Sequence, residues 1–391
     1  MEKQKNRWLI LIAAIITNIS LGAGYMWSLF AGPLKTAHGW SDAISWAYSL
    51  SFAMVPIAMI IFGPIVDKKG PKKVVLLSGL LFGIGMISTG FVTKQPLLYL
   101  TYGLITGLGI GTGYGAATST SVKWFPDKKG LAGGLTAAGF GSGSLILTPI
   151  VQPLIENKGI QATFKIMGLA FLFIIIICSF ILEKAPESKQ AESVVKQVPT
   201  TDKNRKEMMA DSKFWVLWVI YTLATTGGMM LIGHAAGIVK EYNLGTAATI
   251  IMICAVANTA GRIFWGSISD KIGRYTTVVV MFIVNAIGLL LLNFNQSLGA
   301  TAGVIGMVLI YLSFGGFLGA FPGITAENWG ATYSSTNYGW MFTAYGIAAV
   351  VGPQIASMTG YKMAFIVSTV MSAIGIIMML SFMGKQKKQA A

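Results

Sequence analysis

A single arginine stands in the middle of a long apolar run, in the stretch ANTAGRIFWG at residues 257–266. Apart from Arg262, residues 246–265 carry no charge. An arginine at the centre of a membrane-spanning helix costs at least about 2.5–3.5 kcal/mol, so it must face water or an anion. A planar guanidinium holds a carboxylate through two parallel hydrogen bonds. Arg262 therefore predicts a site for a small organic acid.

The acidic residues are not placed to neutralise this arginine. All fourteen Asp and Glu residues fall in predicted loops, in the termini or at the ends of apolar segments. An internal ion pair is the competing explanation for Arg262, and it would need a carboxylate at the same depth in the membrane. We therefore expect the missing anion to be the substrate.

Four further side chains are expected to contact this anion. Asn258 lies one helical turn from Arg262 on the same face and can add a donor. Tyr114, Tyr345 and Tyr25 lie in apolar segments, where each can donate a hydroxyl to a carboxylate. The alternative for the tyrosines is packing between helices or a position at the membrane interface.

The remaining titratable candidate is His234, in the apolar segment 214–239. Because imidazole titrates near neutral pH, His234 is the candidate for proton coupling. The alternative is a neutral histidine hydrogen-bonded between helices. The sequence has only two histidines and two isolated cysteines. It therefore predicts no metal site, no cofactor and no enzyme centre.

The composition is typical of a polytopic membrane protein, because 54% of the 391 residues are hydrophobic and only 11% are charged. A spanning helix needs about 20 apolar residues. The pattern predicts an all-α protein with twelve transmembrane helices, called spans 1 to 12 in chain order. They are predicted near 8–31, 43–65, 74–92, 97–122, 131–153, 160–182, 214–239, 246–269, 275–294, 300–322, 335–358 and 361–384.

The net charge of +15 is concentrated on one side of the predicted membrane. Most of the 29 Lys and Arg residues lie in the termini and in the loops after spans 2, 4, 6 and 8. By the positive-inside rule that side is the cytoplasm. We expect a multi-pass protein of the cell membrane with both termini cytoplasmic, and no nucleic-acid partner.

Two six-helix bundles are predicted: an N-terminal bundle at 1–183 and a C-terminal bundle at 214–391, joined by a charged cytoplasmic linker at 184–213. The loop after the second span of each bundle carries the same signature, GPIVDKKG from residue 63 and GSISDKIG from residue 266. The matched residues, 203 positions apart, are Gly63/Gly266, Asp67/Asp270, Lys68/Lys271 and Gly70/Gly273.

These repeated loops place carboxylates and cations at the ends of adjacent helices. Asp67, Lys68, Asp270, Lys271 and Arg274 are predicted to form gating contacts that break when the cavity opens on the cytoplasmic side. They are not expected to touch the substrate.

Small residues at every fourth position predict close packing of spans 4 and 5 against neighbouring helices. The stripe is Gly103, Gly107, Gly111 and Gly115 in span 4, and Gly130, Gly134, Ala138 and Ser142 in span 5. A phosphate-binding glycine loop is disfavoured, because it needs a preceding strand and a βαβ unit.

The repeated loop signature and the arrangement of six plus six spans resemble the major facilitator superfamily over essentially the whole chain. Three stretches are similar to the oxalate:formate antiporter family, bacterial relatives of the monocarboxylate transporters: GTGYGAATSTSVKWFPDKKGLAGGLTAAGFGSG (111–143), NTAGRIFWG (258–266) and NYGWMFTAYG (337–346). The resemblance implies two bundles around a central cavity and transport by rocking of the two halves.

Two departures from these families bear on the substrate. The monocarboxylate transporters typically carry a proton-coupling aspartate where this chain has Asn258, and the oxalate antiporters carry a lysine where it has Tyr345. A dianion would need two cations, so Arg262 alone favours a monocarboxylate such as lactate, pyruvate or formate, carried by proton symport or anion exchange. An oxalate:formate-type antiporter, or a transporter of another organic anion, is the alternative. We expect a monomer.

Other functions fit the residues less well. A carboxylate sensor would need an attached signalling domain, which the linker does not supply. A sugar site would need more polar side chains, and a cationic-drug site would need a buried acid where this chain has a base.

Overall fold

The computed structural model describes residues 6–125, 129–185, 203–330 and 333–390. The regular structure in these ranges is helical and contains no β-strand, and eleven helices in them are long and apolar enough to cross a membrane. The predicted all-α fold is confirmed. The elements are Arg7–Leu21, a 3₁₀ turn at Gly22–Met26 and Trp27–His38 for span 1, then Ser45–Lys69, Lys72–Thr89, span 4, Lys129–Lys158, Ile160–Ile181, Ser212–Glu241, Ala247–Ile272, Arg274–Asn293, Ala300–Trp329, the pair Ser334–Met341 and Thr343–Thr359 for span 11, and Tyr361–Ala390.

Span 4 is the least regular of these elements. It consists of a short helix at Gln95–Leu98, a π-helical segment at Tyr99–Thr106 and an α-helix at Gly107–Trp124. The last segment is rich in Gly, Ser and Thr, which lowers its hydropathy, and span 4 is not among the eleven apolar helices.

The glycine stripe of span 4 packs closely on span 2, as predicted. A methyl group added at Gly107 would lie 2.4 Å from the backbone oxygen of Ser51, and one at Gly111 would lie 2.4 Å from that of Val55. Only glycine permits this approach of the two backbones. The close packing brings span 2, with its cavity-facing side chains, beside span 4.

The stripe predicted for span 5 is wrong. A methyl group at Gly134 would meet no atom within 4 Å, whereas one at Gly143 would lie 2.6 Å from the Cα of Gly22 in span 1. Span 5 is so rich in glycine that several four-residue stripes overlap along it. The face through Gly139 and Gly143 is the one that meets span 1.

The loops after spans 2 and 8 lie at one end of the helix bundle, here called the basic end; the other is the opposite end. The first helix begins at the basic end, where Arg7 lies 4.8 Å from the ring centre of Phe125. The last helix ends there too, since Phe382 packs on Tyr275 at 5.3 Å between ring centres. This arrangement agrees with an even number of membrane crossings.

Two tryptophans at the basic end hold the described parts of the linker. Trp124 donates its indole N–H to the backbone oxygen of Glu183 at 2.8 Å, and Trp329 donates to the Asp211 carboxylate at 3.2 Å. Residues 186–202 of the predicted linker lie outside the described ranges. The boundaries predicted for the two bundles and the linker stay a prediction.

Asp211 is the N-cap of span 7 and has a perturbed pKa. Its partial burial acts to raise the pKa, but hydrogen bonds from the Lys213 N–H, the Lys203 ammonium and the Trp329 indole favour the carboxylate. The net effect lowers the pKa of Asp211 below its ordinary value.

Candidate functional site

A small cavity of about 10 Å³, with room for about one water molecule, is lined by residues from both halves. Four of the five residues predicted to bind substrate line it together. The first half contributes Tyr25, Phe52, Val55, Tyr114 and Phe140, and the second half contributes Arg262, Leu318, Phe342 and Tyr345. Arg262 is the cation among these nine residues, and none of them is an acid.

The side chain of Arg262 is buried, with 4% of the residue exposed. Its Nη1 donates to the backbone oxygen of Ala137 in span 5 at 2.8 Å, whereas its Nε has no hydrogen-bond partner in the described part of the chain. None of the ion pairs among the described residues involves Arg262. The guanidinium therefore keeps unused donors beside the cavity.

Close packing of span 8 on span 10 turns Arg262 toward the cavity. A methyl group at Gly261 would lie 2.1 Å from the backbone oxygen of Leu312, and one at Gly315 would lie 2.0 Å from that of Asn258. The same packing places Asn258 at the contact between the two spans, buried and outside the cavity lining. Asn258 is thus the one predicted binding residue that the structure does not bring to the cavity.

The hydroxyls of Tyr25 and Tyr345 meet across the two halves at 3.4 Å. Each tyrosine lies at an interruption of its helix. Tyr25 is in the 3₁₀ turn of span 1, and Tyr345 follows the break at Phe342 that divides span 11. The turn of span 1 lies directly on span 5, because a methyl group at Gly22 would lie 2.3 Å from the backbone oxygen of Phe140.

Six aromatic rings form a closed circuit around the cavity, here called the aromatic girdle. The distances between ring centres are 5.3 Å for Tyr25–Phe52, 6.2 Å for Phe52–Tyr345, 4.5 Å for Tyr345–Phe342, 6.2 Å for Phe342–Tyr114, 5.1 Å for Tyr114–Phe140 and 4.9 Å for Phe140–Tyr25. Rings lower the local dielectric constant, which strengthens any pairing between Arg262 and an anion. The three phenylalanines were not predicted, because aromatic residues of apolar spans carry no signal that separates cavity from core.

The model of the Major Facilitator Superfamily matches residues 10–353. The chain belongs to the major facilitator superfamily. Members of this superfamily are transporters rather than enzymes.

Relatives and solved structures agree with this membership. The oxalate:formate antiporter of Oxalobacter formigenes is 34% identical, with 94% of this chain and 90% of that protein covered. Monocarboxylate transporter 12-B of Danio rerio is 24% identical, with 80% and 72% covered. The xylose transporter XylE from Escherichia coli, in a partially occluded inward-open conformation, has the same fold at a TM-score of 0.73 and 13% identity, with 96% of this chain and 97% of that chain covered.

In this major facilitator protein His234 lies away from the cavity lining, toward the opposite end. Its Nε2 lies 3.0 Å from the backbone oxygen of Pro353 and 3.4 Å from the hydroxyl of Ser357. Ser357 in turn donates to Ser45 of the first half at 3.2 Å. This hydrogen bonding fits the alternative of a neutral histidine between helices, and the coupling role of His234 stays a prediction.

Two of the five predicted gating residues form ion pairs, one within each half of the transporter. Asp67 pairs with Lys123 at the end of span 4, and Arg274 pairs with Glu327 at the end of span 10. The two pairs use positions that the internal repeat does not match, because the counterpart of Asp67 is Asp270 and the counterpart of Arg274 is Pro71.

The other gating residues are less informative. Lys68 and Lys271 are exposed, and the side chain of Asp270 lies outside the described residues. The gating role of the five residues stays a prediction.

Proposed function

We propose that this transporter carries a small monocarboxylate of the lactate, pyruvate or formate type by alternating access. The observation that carries the proposal is the charge of the cavity lining, where Arg262 is the one cation and no lining residue is acidic. One negative charge on the substrate balances this site, and a dianion would leave one charge unpaired. The names of the relatives, an oxalate:formate antiporter and a monocarboxylate transporter, support the substrate class.

The carboxylate would accept hydrogen bonds from the Arg262 guanidinium, and the apolar part of the acid would lie against the aromatic girdle. Tyr114, Tyr25 and Tyr345 would supply hydroxyl donors from both halves. A ligand held by both halves stabilises the closed arrangement, which is what alternating access requires.

The charge of Arg262 also bears on coupling. A guanidinium without an anion is unfavourable in a cavity that closes to water, so the unloaded transporter should change orientation slowly. This favours exchange of one anion for another, or symport in which a proton accompanies the anion. His234 is the proposed proton carrier, since its partner Ser357 joins it to the first half at the opposite end.

A second candidate is antiport of the oxalate:formate type, which is favoured by the 34% identity to that antiporter. Tyr345 counts against it, because this position supplies no second cation. In either case we propose a monomer in the cytoplasmic membrane with both termini cytoplasmic.

Uptake of radiolabelled lactate into proteoliposomes tests the proposal. Wild type is compared with Arg262→Ala and with the matched control Lys165→Ala. Lys165 is a cation of span 6 that lies on the ring of Phe91, 3.9 Å from its centre, and not in the cavity. Each protein is assayed under a pH gradient, and then after preloading with unlabelled lactate, pyruvate, formate or oxalate.

We expect uptake by wild type and Lys165→Ala, and none by Arg262→Ala. Uptake driven by the gradient alone establishes symport, whereas uptake only against an internal anion establishes exchange. Oxalate as the most effective preload would favour the second candidate. Equal uptake by Arg262→Ala and wild type would refute the anion site.

A further inference from the structure

The Arg262 guanidinium lies along one turn of span 5, at residues 137–141. Nη1 donates to the backbone oxygen of Ala137 at 2.8 Å. One turn further on, a methyl group added at Gly141 would lie 3.3 Å from Nε of Arg262 and 3.2 Å from the hydroxyl of Thr259. Spans 5 and 8 belong to different halves, so this contact joins the halves through the charged residue of the cavity.

The contact satisfies the guanidinium only in part. The backbone oxygen of Ala137 lies inside a helix, where it also accepts the backbone bond of the helix. The Nε faces Gly141, which has no side chain, and finds no acceptor. A neutral and shared acceptor competes poorly with a carboxylate, which carries the opposite charge and accepts two parallel hydrogen bonds from a guanidinium.

We propose that the Arg262 guanidinium binds the helical turn 137–141 of span 5 when no substrate is present, a state here called docked. The substrate carboxylate competes with this turn for the guanidinium. This inference rests on the proposed function. Gly141 is then a positioning residue. Its missing side chain lets the guanidinium lie against the helix without giving Nε a partner. The Arg262 side chain leaves this helical turn when it binds a carboxylate in the cavity.

This competition couples loading to movement. While Arg262 is docked, it holds span 8 against span 5. A carboxylate that draws the guanidinium into the cavity removes that contact between the halves. Substrate binding therefore exchanges this hydrogen bond between the halves for bonds made through the substrate, in the same step in which it neutralises the charge. The apparent affinity for substrate is reduced by the fraction of the protein in which Arg262 is docked.

Two substitutions at Gly141 distinguish docking of the guanidinium from a purely steric effect of the added side chain. Gly141→Ala and Gly141→Ser add the same Cβ beside Nε, and only the serine adds an acceptor for the unpaired N–H. The matched control is Gly134→Ala in the same helix, where the added methyl group meets no atom within 4 Å. All are measured in proteoliposomes as KM and kcat for radiolabelled lactate.

We expect Gly141→Ala to lower the KM below that of wild type, because the methyl group disfavours docking. Gly141→Ser should have a KM about 2- to 10-fold above that of Gly141→Ala, the change expected for one added hydrogen bond. Gly134→Ala should match wild type. Equal KM values for the two Gly141 variants, with a change confined to kcat, would overturn the proposal.

A second measurement needs no substrate and separates failure of this proposal from failure of the proposed function. The melting temperatures of Gly141→Ala and Gly141→Ser are compared with Arg262 present and in an Arg262→Ala background. Docking predicts that the serine variant is the more stable of the two only when Arg262 is present. The same difference in both backgrounds would refute docking, even if lactate transport depends on Arg262.

Discussion

Replacement of Tyr345 by lysine should convert the cavity from a site for monoanions into one for dianions. Tyr345 is buried in the cavity wall, with its hydroxyl 3.4 Å from that of Tyr25 and its ring stacked on Phe342. A lysine there would place a second cation in the cavity that Arg262 lines. The cavity lining would then carry two positive charges and no negative charge.

The size of the effect follows from Coulomb's law. A cation about 5–6 Å from the second carboxylate of oxalate, at an effective dielectric constant of about 20, contributes roughly 3 kcal/mol, or about 100-fold in affinity. Lactate should bind less tightly to the variant than to wild type, because it neutralises only one of the two charges and loses the Tyr345 hydroxyl.

Competition by unlabelled acids for the uptake of radiolabelled substrate measures both changes. The matched control is Tyr345→Phe, which removes the hydroxyl without adding charge and should leave the preference for a monoanion intact. The reasoning would be refuted if Tyr345→Lys and Tyr345→Phe rank oxalate and lactate alike.

Three further predictions concern coupling, pH and packing. His234→Asn should abolish uptake driven by a pH gradient and leave exchange of internal for external anion intact; loss of both in a folded variant would contradict a role in coupling. Because the pKa of Asp211 is lowered in the fold, its carboxylate stabilises the protein above the ordinary carboxyl pKa, and this contribution is lost as the pH falls through the lowered value. The deficit in melting temperature of Asp211→Asn should therefore be present at pH 7 and shrink in acid, and a deficit independent of pH would count against this. Gly107→Val should destabilise the contact with span 2 by at least about 1–3 kcal/mol and reduce the yield of folded protein, whereas Gly63→Ala, whose methyl group meets no atom within 4 Å, should have no effect on yield or melting temperature.

The sequence predicted those site residues whose position is determined by the cost of burying a charge. It was less successful for residues whose position is determined by helix packing. A lone arginine in an apolar span is costly, and that cost alone singles out Arg262. Tyr25, Tyr114 and Tyr345 were predicted because a hydroxyl in an apolar span can donate to a carboxylate. Asn258 was predicted because it lies one turn from Arg262, yet the glycine contacts of span 10 turn it away from the cavity.

The faces through which the helices pack were predicted less completely than the charged site residue. The four-residue spacing placed the stripe of span 4 correctly, since its glycines lie on one face. In span 5 glycines lie on several faces, and only the fold shows that Gly143 meets span 1 while Gly134 does not. The break in span 11 also escaped prediction, because Phe342 carries no helix-breaking signal.

The central claim is that Arg262 binds the carboxylate of the substrate. Equilibrium binding of radiolabelled lactate to purified wild type, Arg262→Gln and Lys165→Ala tests it without any assumption about coupling. Loss of two charge-assisted hydrogen bonds, each about 1.5–3 kcal/mol, predicts at least a 100-fold weaker affinity for Arg262→Gln, with Lys165→Ala unchanged. Lactate binding to a folded Arg262→Gln protein as tightly as to wild type would contradict the account.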